Sequence, residues 1–350
     1  MKTILPADAL YRLGVVVKDY KSSIRSFSEF FGINRWEIRR LDERRLSNTT
    51  FGGKPAGHSF ISAIGSARGV ALELVEPVSG DTVFAEFLQR RGEGMHHLTT
   101  NISSPENFQQ ARAELEKIGV GVAQSGTIDG VTDYHLLDTR QLLAGPLIEV
   151  ICPHTDSVSR SPEPDEIVNF DESVTSWNRL PIEKTYHVCI VTKHRRDEVR
   201  SALEKLLGID QWFDFGNESG VNAMDTTYYG RACKSAFNLS LGRRNTLCIE
   251  VVEMRYGESL YQEMLEQQGE GLHHMMTTIC SMEKFAELRP WLESKKIPVI
   301  QDGRVEDFCY YCYLDTRSKL AGITVEVLAP ASKEWLKGRE DTGAILIGPA

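Results

Sequence analysis

Four residues in the second half of the chain have side chains of the kind that bind divalent metals: His187, Glu250, His274 and Glu326. Each sits in a short apolar run. His187 lies in Tyr186-His187-Val188-Cys189-Ile190-Val191, Glu250 in Leu247–Val252, His274 just after Gly271-Leu272-His273, and Glu326 in Thr324–Leu328. Such runs read as strands, whose alternating faces let one polar residue point into a cavity while its neighbours stay in a core. A carboxylate inside an apolar strand is costly unless it is ion-paired, hydrogen-bonded or metal-bound. Two imidazoles with one or two carboxylates suit Zn, Fe(II), Mn, Co or Ni. Strands also hold ligands with the rigidity a catalytic centre needs. Taken singly, a strand histidine is more often an ordinary packed residue, and a glutamate near a strand end is usually solvated.

The elements that must position these residues occur twice. Gly92-Glu93-Gly94-Met95-His96-His97 recurs as Gly269-Glu270-Gly271-Leu272-His273-His274, and Leu137-Asp138-Thr139-Arg140 as Leu314-Asp315-Thr316-Arg317. Leu143-Ala144-Gly145 recurs as Leu320-Ala321-Gly322, Ile148-Glu149-Val150 matches Val325-Glu326-Val327, and the run around Glu73 matches that around Glu250. All five pairs are 177 residues apart. Chance matches would not share one spacing, so the chain is a tandem duplication of residues 8–153 and 183–330. Residues 154–182, rich in Pro, Ser, Asp and Glu, read as a linker, with Phe170 and Trp177 as anchors to a domain surface. Residues 331–350 form a tail whose Ala344-Ile345-Leu346-Ile347 is apolar enough to dock.

Each copy divides again. Tyr11–Val17 reads as a strand, Lys18–Phe31 as a helix with Ile24, Phe27 and Phe31 on one face, and Ser59–Ile64 and Val70–Pro77 as strands. The order then restarts with a strand at His97–Ile102. Ser104-Pro105-Glu106 reads as a capped helix start, with Phe108, Ala111, Leu115 and Ile118 on that helix's buried face. Strands follow near Gly119–Val122, Tyr134–Leu137 and Pro146–Ile151. The second copy repeats this, with helices near Arg196–Leu207 and Met282–Ser294. The expected architecture is α+β: four βαβββ modules, two per domain.

Composition limits the function classes. A net charge of −9 argues against nucleic acid, which needs a basic face, although Arg243 and Arg244 make a local basic pair. No apolar run approaches the roughly 20 residues of a membrane span. The N-terminal residues lack a signal-peptide pattern. The seven cysteines include one CxxC pair, Cys309 and Cys312, which would face opposite sides of a strand. They read as reduced thiols of a cytoplasmic protein. The expected partner is a small molecule, with no nucleic acid and no membrane; a homodimer is left open.

The duplicated pattern resembles the vicinal oxygen chelate superfamily, which includes glyoxalase I, methylmalonyl-CoA epimerase, extradiol dioxygenases and antibiotic-resistance proteins. Locally it is most similar to methylmalonyl-CoA epimerase, through His187-Val188-Cys189-Ile190-Val191, Ile249-Glu250-Val251-Val252, Gly271-Leu272-His273-His274 and Thr324-Val325-Glu326-Val327. The resemblance covers both copies and implies one divalent ion per chain (Zn, Fe, Mn, Co or Ni). It implies His187, His274 and Glu326 as ligands and Glu250 as the fourth. His273 would then face the other side of its strand. The first copy departs from the pattern, with Arg12 where His187 stands; Glu73, His97 and Glu149 remain. Arginine stays protonated and is no practical ligand, so the first domain is expected to be metal-free.

Two reaction classes use such a cage: Lewis-acid chemistry through an enolate, and Fe(II) chemistry with O₂. Extradiol dioxygenases share the two-domain plan, but their acid–base histidine has no counterpart, since no His follows His274. Their Asp-Pro turn is replaced by Leu314-Asp315-Thr316-Arg317. The epimerase's proton-transfer glutamate is also absent from Thr227-Tyr228-Tyr229-Gly230-Arg231-Ala232. The resemblance thus implies a metal-dependent epimerase, isomerase or lyase acting on a carbonyl substrate, with a polyhydroxy ketone, cyclitol or acyl-CoA as the example. A dioxygenase and a non-catalytic resistance-type binding protein are the alternatives. Glu250 is the expected base, by analogy with glyoxalase, with Tyr229 and Tyr310 as catalytic partners. Arg317 and Tyr313 are the expected substrate-binding residues, and Phe308, Tyr310, Tyr311 and Tyr313 an aromatic cluster for the pocket.

Overall fold

The computed structural model describes residues 3–7, 9–154, 162–305 and 308–331. The chain falls into two compact units, residues 1–178 with 203–208 and residues 179–202 with 209–350. The apolar Ala344–Ile347 of the tail lies outside the described residues.

The first unit runs β1 (Arg12–Val16), α1 (Tyr20–Phe31), β2 (Arg35–Leu41), β3 (Leu46–Phe51), β4 (Lys54–Pro55), β5 (His58–Ala67) and β6 (Val70–Gly80). It continues with α2 (Val83–Arg91), β7 (Gly94–Ile102), α3 (Pro105–Lys117), β8 (Val122–Ile128), β9 (Thr132–Leu137) and β10 (Leu147–Pro153). The stretch expected to be only a linker contributes a strand, β11 (Glu166–Asn169), and a short helix, α4 (Glu172–Thr175). The sheet order is β11-β2-β5-β6-β1-β7-β10-β9-β8-β3-β4. Its two halves, β2-β5-β6-β1 and β7-β10-β9-β8, are the two modules. They meet where β1 pairs antiparallel with β7.

The second unit repeats the plan. In chain order it runs β12 (Ile182–Thr192), the first part of α5 (Arg196–Leu207), up to residue 202, then β13 (Gln211–Glu218), β14 (Ala223–Tyr228), β15 (Arg231–Ala232), β16 (Ser235–Arg244) and β17 (Leu247–Gly257). Then come α6 (Leu260–Gln267), β18 (Gly271–Ile279), α7 (Met282–Ser294), β19 (Val299–Val305), β20 (Cys309–Leu314) and β21 (Thr324–Pro330). Its sheet order is β13-β16-β17-β12-β18-β21-β20-β19-β14-β15.

Local chemistry explains the element ends. Asp19 caps α1 by accepting from the Lys21 N–H, and Gly32 ends it in the left-handed region at φ 74°. Ile24, Phe27 and Phe31 are buried, as their spacing predicts. Ser104 caps α3, with Pro105 in its first turn. Two further helices escape the sequence pattern, α2 and α6. Each is short and begins at a hydroxyl cap, Thr82 bonding the Ala85 N–H and Ser259 the Gln262 N–H. The strand expected at Gly119–Val122 begins only at Val122, because Gly119 turns the chain at φ 78°. All seven cysteines are free. Among the described residues, no helix is long and apolar enough to cross a membrane.

Candidate metal centre

The four central strands of the second sheet, β17-β12-β18-β21, each contribute one of the four residues singled out above. Parallel β12 and β17 place Cys189 beside Glu250, so His187, two residues earlier on the same face, leans toward that glutamate. Antiparallel β12 and β18 oppose His187 to Met276, and parallel β18 and β21 oppose Met276 to Glu326. The side chains converge. His187 Nε2 lies 3.1 Å from Glu326 Oε2 and 3.9 Å from Glu250 Oε2. His274 Nε2 lies 3.2 Å from Glu326 Oε2 and 3.3 Å from Glu250 Oε2, and the two imidazole Nε2 atoms are 3.3 Å apart.

All four residues are buried. Oε2 of Glu250 and Oε2 of Glu326 are fully enclosed and stand against the two imidazoles. Two enclosed carboxylates at such close range are expensive, and a cation between them removes the cost. Ligands about 2.1 Å from a four-coordinate ion stand roughly 3.4 Å apart, which matches the edges of this cage. The donor set, two imidazoles and two carboxylates, fits a divalent ion.

A β-bulge sets the histidine pair. Val188 opposes Met275 but Ile190 opposes Leu272, so His273 and His274 together face Cys189. The bulge overturns the expectation that His273 faces away. Its ring is buried, packs 5.1 Å from the Tyr261 ring, and brings its Nδ1 within 2.9 Å of His274 Nδ1. The His273 ring also donates to the Leu260 backbone. That leaves its Nδ1 to accept from His274 and turns the lone pair of His274 Nε2 toward the cage. Burial and the neighbouring His274 hold His273 well below the ordinary histidine value, hence neutral.

Burial works against a charge on His274, but Glu250 and Glu326 outweigh it and lift the imidazole to about 9. Burial pushes Glu326 up, and His187 and His274 more than reverse this, holding it below the usual carboxylate range. Tyr313 donates to Glu326 Oε1 at 3.3 Å and shares a 2.5 Å hydrogen bond with the Tyr261 hydroxyl. The Cys189 thiol, pushed far up by burial and by Glu250, bonds that carboxylate.

A cleft of about 70 Å³ opens onto His187, Glu250 and Glu326. Phe213, Phe215, Phe237 and Leu239 wall one side, and Phe308, in the turn before β20, with Tyr311 of β20 and Leu328 of β21 line the other. The fully buried Oδ1 of Asn217 is without a hydrogen-bond partner in this lining. Phe213, Phe215, Asn217, Phe237 and Tyr261 carried no sequence signal beyond apolar alternation. Of the aromatic cluster, alternation along β20 sends Tyr311 and Tyr313 into the cleft and Tyr310 to the opposite face, where it donates to Asp302 and packs on Phe285. Tyr229 is 46% exposed, in the turn after β14, and bonds Glu263 and Arg317. Arg317 is held by Asp315 and Glu263. The structure therefore brings His187, Glu250, His274, Glu326 and Tyr313 together, and leaves Tyr229, Tyr310 and Arg317 outside the cleft.

The first unit has the same frame. Gly14 pairs with Glu73 and with His97, a bulge falls at the same point, and His96 and His97 approach through Nδ1 at 3.0 Å. Arg12, two residues before Gly14, stands where His187 stands. A cavity of about 800 Å³ opens above it, lined by Arg39, Phe60, Phe84 and Tyr134 among others.

Residues 11–136 match the model of the Glyoxalase/Bleomycin resistance protein/Dioxygenase superfamily. No curated protein matches the chain. A triple mutant of 4-hydroxymandelate synthase from Streptomyces coelicolor is similar in fold, with TM-score 0.56, 10% identity and 93% of each chain covered. The Mn(II)-bound glyoxalase from Novosphingobium aromaticivorans aligns at TM-score 0.44 and 13% identity, over 93% of this chain and 83% of that one.

Proposed function

We propose, for a chain that belongs to the vicinal oxygen chelate superfamily, that its second unit is a metal-dependent epimerase or isomerase of a carbonyl substrate. The observation that carries this is the convergence of two imidazoles and two carboxylates, all buried, on one point, with Nε2 and Oε2 atoms 3.1–3.9 Å apart. His187, His274 and Glu326 are the ion's ligands, and Glu250 is both ligand and base. A divalent ion held there supplies Lewis-acid polarisation of a carbonyl oxygen. Glu250 Oε2 would take the proton next to that carbonyl and deliver it to the neighbouring carbon or, for epimerisation, to the opposite face of the enolate. Tyr313 fixes Glu326, and His273 fixes His274.

The cleft selects the substrate's body. Its walls are aromatic and aliphatic and offer few partners for hydroxyl groups. A carbonyl compound with an apolar or aromatic group fits better than a polyhydroxy ketone or cyclitol. At about 70 Å³ the cleft admits only the reacting end. A second reading, Fe(II) dioxygenation, is favoured by one observation: His187, His274 and Glu326 by themselves make the two-histidine, one-carboxylate set of such enzymes.

Exchange of substrate hydrogen with solvent deuterium under anaerobic conditions separates the two. Aryl- and alkyl-substituted 2-oxo acids and α-hydroxyketones, incubated with Mn(II)- or Co(II)-loaded protein, should exchange the hydrogen beside the carbonyl. Glu250→Gln should retain some metal and slow exchange by about 10²–10⁴, because an amide coordinates but does not accept the proton. Turnover that requires O₂, with no exchange, would establish the dioxygenase reading instead. Tight binding without exchange or O₂ uptake would leave a binding protein.

A further inference from the structure

We infer that the first unit carries its cation covalently: the Arg12 guanidinium takes the place of the metal ion between Glu73 and Glu149, and Gly14 is the second change that makes room for it. The inference rests on the metal reading of the second unit only for comparison.

The equivalence of positions comes from strand register. Gly14 pairs with Glu73 in the first sheet as Cys189 pairs with Glu250 in the second, and Arg12 and His187 both lie two residues earlier. Arg12 Nη2 donates to Glu149 Oε2 at 3.1 Å, and Arg12 Nε lies 3.3 Å from Glu73 Oε2. Those two oxygens correspond to the ones that face the imidazoles in the second unit. Both carboxylates are buried, and a positive charge between them offsets the cost of that burial.

The histidine has moved back to admit it. His97 Nε2 stands 4.0 Å from both Glu73 and Glu149, against 3.3 and 3.2 Å for His274 and its carboxylates. His97 Nε2 is buried with no hydrogen-bond partner. Its ring lies over Gly14: a Cβ there would come within 2.0–2.3 Å of three ring atoms. In the second unit that position is Cys189, whose side chain excludes the imidazole from the same space. One substitution inserts the guanidinium and the other lets the histidine retreat. A guanidinium keeps its proton and does not exchange with solvent ions, so this unit needs no metal.

Restoring the two residues should restore a metal site. In full-length His187→Ala protein, stripped of metal and titrated with Mn(II), the second unit's site is disabled and no tight Mn(II) is expected. Adding Arg12→His and Gly14→Cys should bring binding to one tight Mn(II) per chain, counted from free Mn(II) by electron paramagnetic resonance. Wild-type protein should bind one. Two tight ions in the wild type, or none in the folded triple variant, would overturn the inference. A wild type that binds none would defeat the metal reading of the second unit while the triple variant still decides this one. As an independent arm, Arg12→Met removes the charge but keeps the bulk. It should lower the first unit's melting temperature by about 10 °C, because two buried carboxylates lose their partner. Mn(II) should recover part of that loss; an unchanged melting temperature would show that Arg12 is no surrogate.

Discussion

The two units hold the same strands in the same register, with a bulge at the same histidine pair, yet their centres differ in kind. In the second unit two imidazoles and two carboxylates close to 3.1–3.9 Å around a point with no side chain in it. In the first, the point is filled by Arg12, the histidine stands off at 4.0 Å, and the cavity above is about 800 Å³ against about 70 Å³. The backbone frame is therefore indifferent to the chemistry it carries. What decides it is the residue two positions before the pairing point on the opening strand, and whether the residue at that point has a side chain.

The strongest way to break the comparison is to convert the second centre into the first. His187→Arg with Cys189→Gly should leave a folded chain that binds no Mn(II) and has no detectable solvent exchange. Circular dichroism and metal analysis on one preparation check both halves. Retained metal would mean that the guanidinium does not displace an ion in this frame.

The histidine pair sharpens the comparison at the next level. Because His273 fixes the tautomer of His274, His273→Ala should weaken Mn(II) binding by about 10–100-fold. The equivalent His96→Ala should change metal binding not at all. Equal affinities in His273→Ala and wild type would show that His274 is oriented by its other contacts.

That prediction reverses the one the sequence alone supports, and the reason is physical. A duplication leaves a constant spacing, so the modules and the helices at Arg196–Leu207 and Met282–Ser294 were legible; His187, Glu250, His274 and Glu326 were singled out as a set by the family resemblance, because the repeat itself carries Arg12 at the place of His187. A bulge is one extra residue in a ladder and leaves no mark on hydrophobic alternation, so the side taken by His273 was not. Tyr310 was misplaced by a related gap: strict alternation would have assigned it the face opposite Tyr311 and Tyr313, but four aromatics in six residues look alike without a known partner strand. Phe213, Phe215 and Phe237 were invisible because an apolar side chain in a cleft reads the same as one in a core. Arg12 was visible as a departure from the pattern. Its role required distances to Glu73 and Glu149.

pH separates the units by smaller amounts. In metal-free protein His274 is raised from 6.5 to about 9, so its ion pairs stabilise the second unit fully below about 6.5. That contribution is lost as pH rises through about 9. Arg12, whose burial opposes its charge but whose Glu73 and Glu149 raise its pKa, stays charged throughout. The second unit's thermal transition should therefore fall between pH 6.5 and 9 without metal, while the first unit's does not follow it. Mn(II) affinity should rise over the same window, because the His274 proton must leave before the ion binds. Pair-wise melting of the His187→Ala and wild-type proteins, with and without Mn(II), reads both trends.

The smallest effect belongs to a feature the two units share. Arg317 grips Asp315 through two hydrogen bonds at 2.9 and 3.0 Å and reaches Glu263 at 2.8 Å. Arg140 grips Asp138 at 2.7 Å twice and reaches Glu86 at 3.3 Å. Each arginine thus ties the turn before the last strand of its unit to the short helix α2 or α6. A residue kept in the same contacts in both centres, one with the donor set of a metal site and one filled by a guanidinium, is expected to serve the frame and not the reaction. Both are partly exposed, so solvent screens them, and each replacement by Ala should cost about 0.5–1 kcal/mol. Arg317→Ala and Arg140→Ala should lower melting by a few degrees at most, by similar amounts, with kcat/KM for solvent exchange within about twofold of wild type. A selective rise of tenfold or more in KM for Arg317→Ala, without a matching loss of stability, would place a substrate group against Arg317 and give the second unit a contact that its cleft does not show.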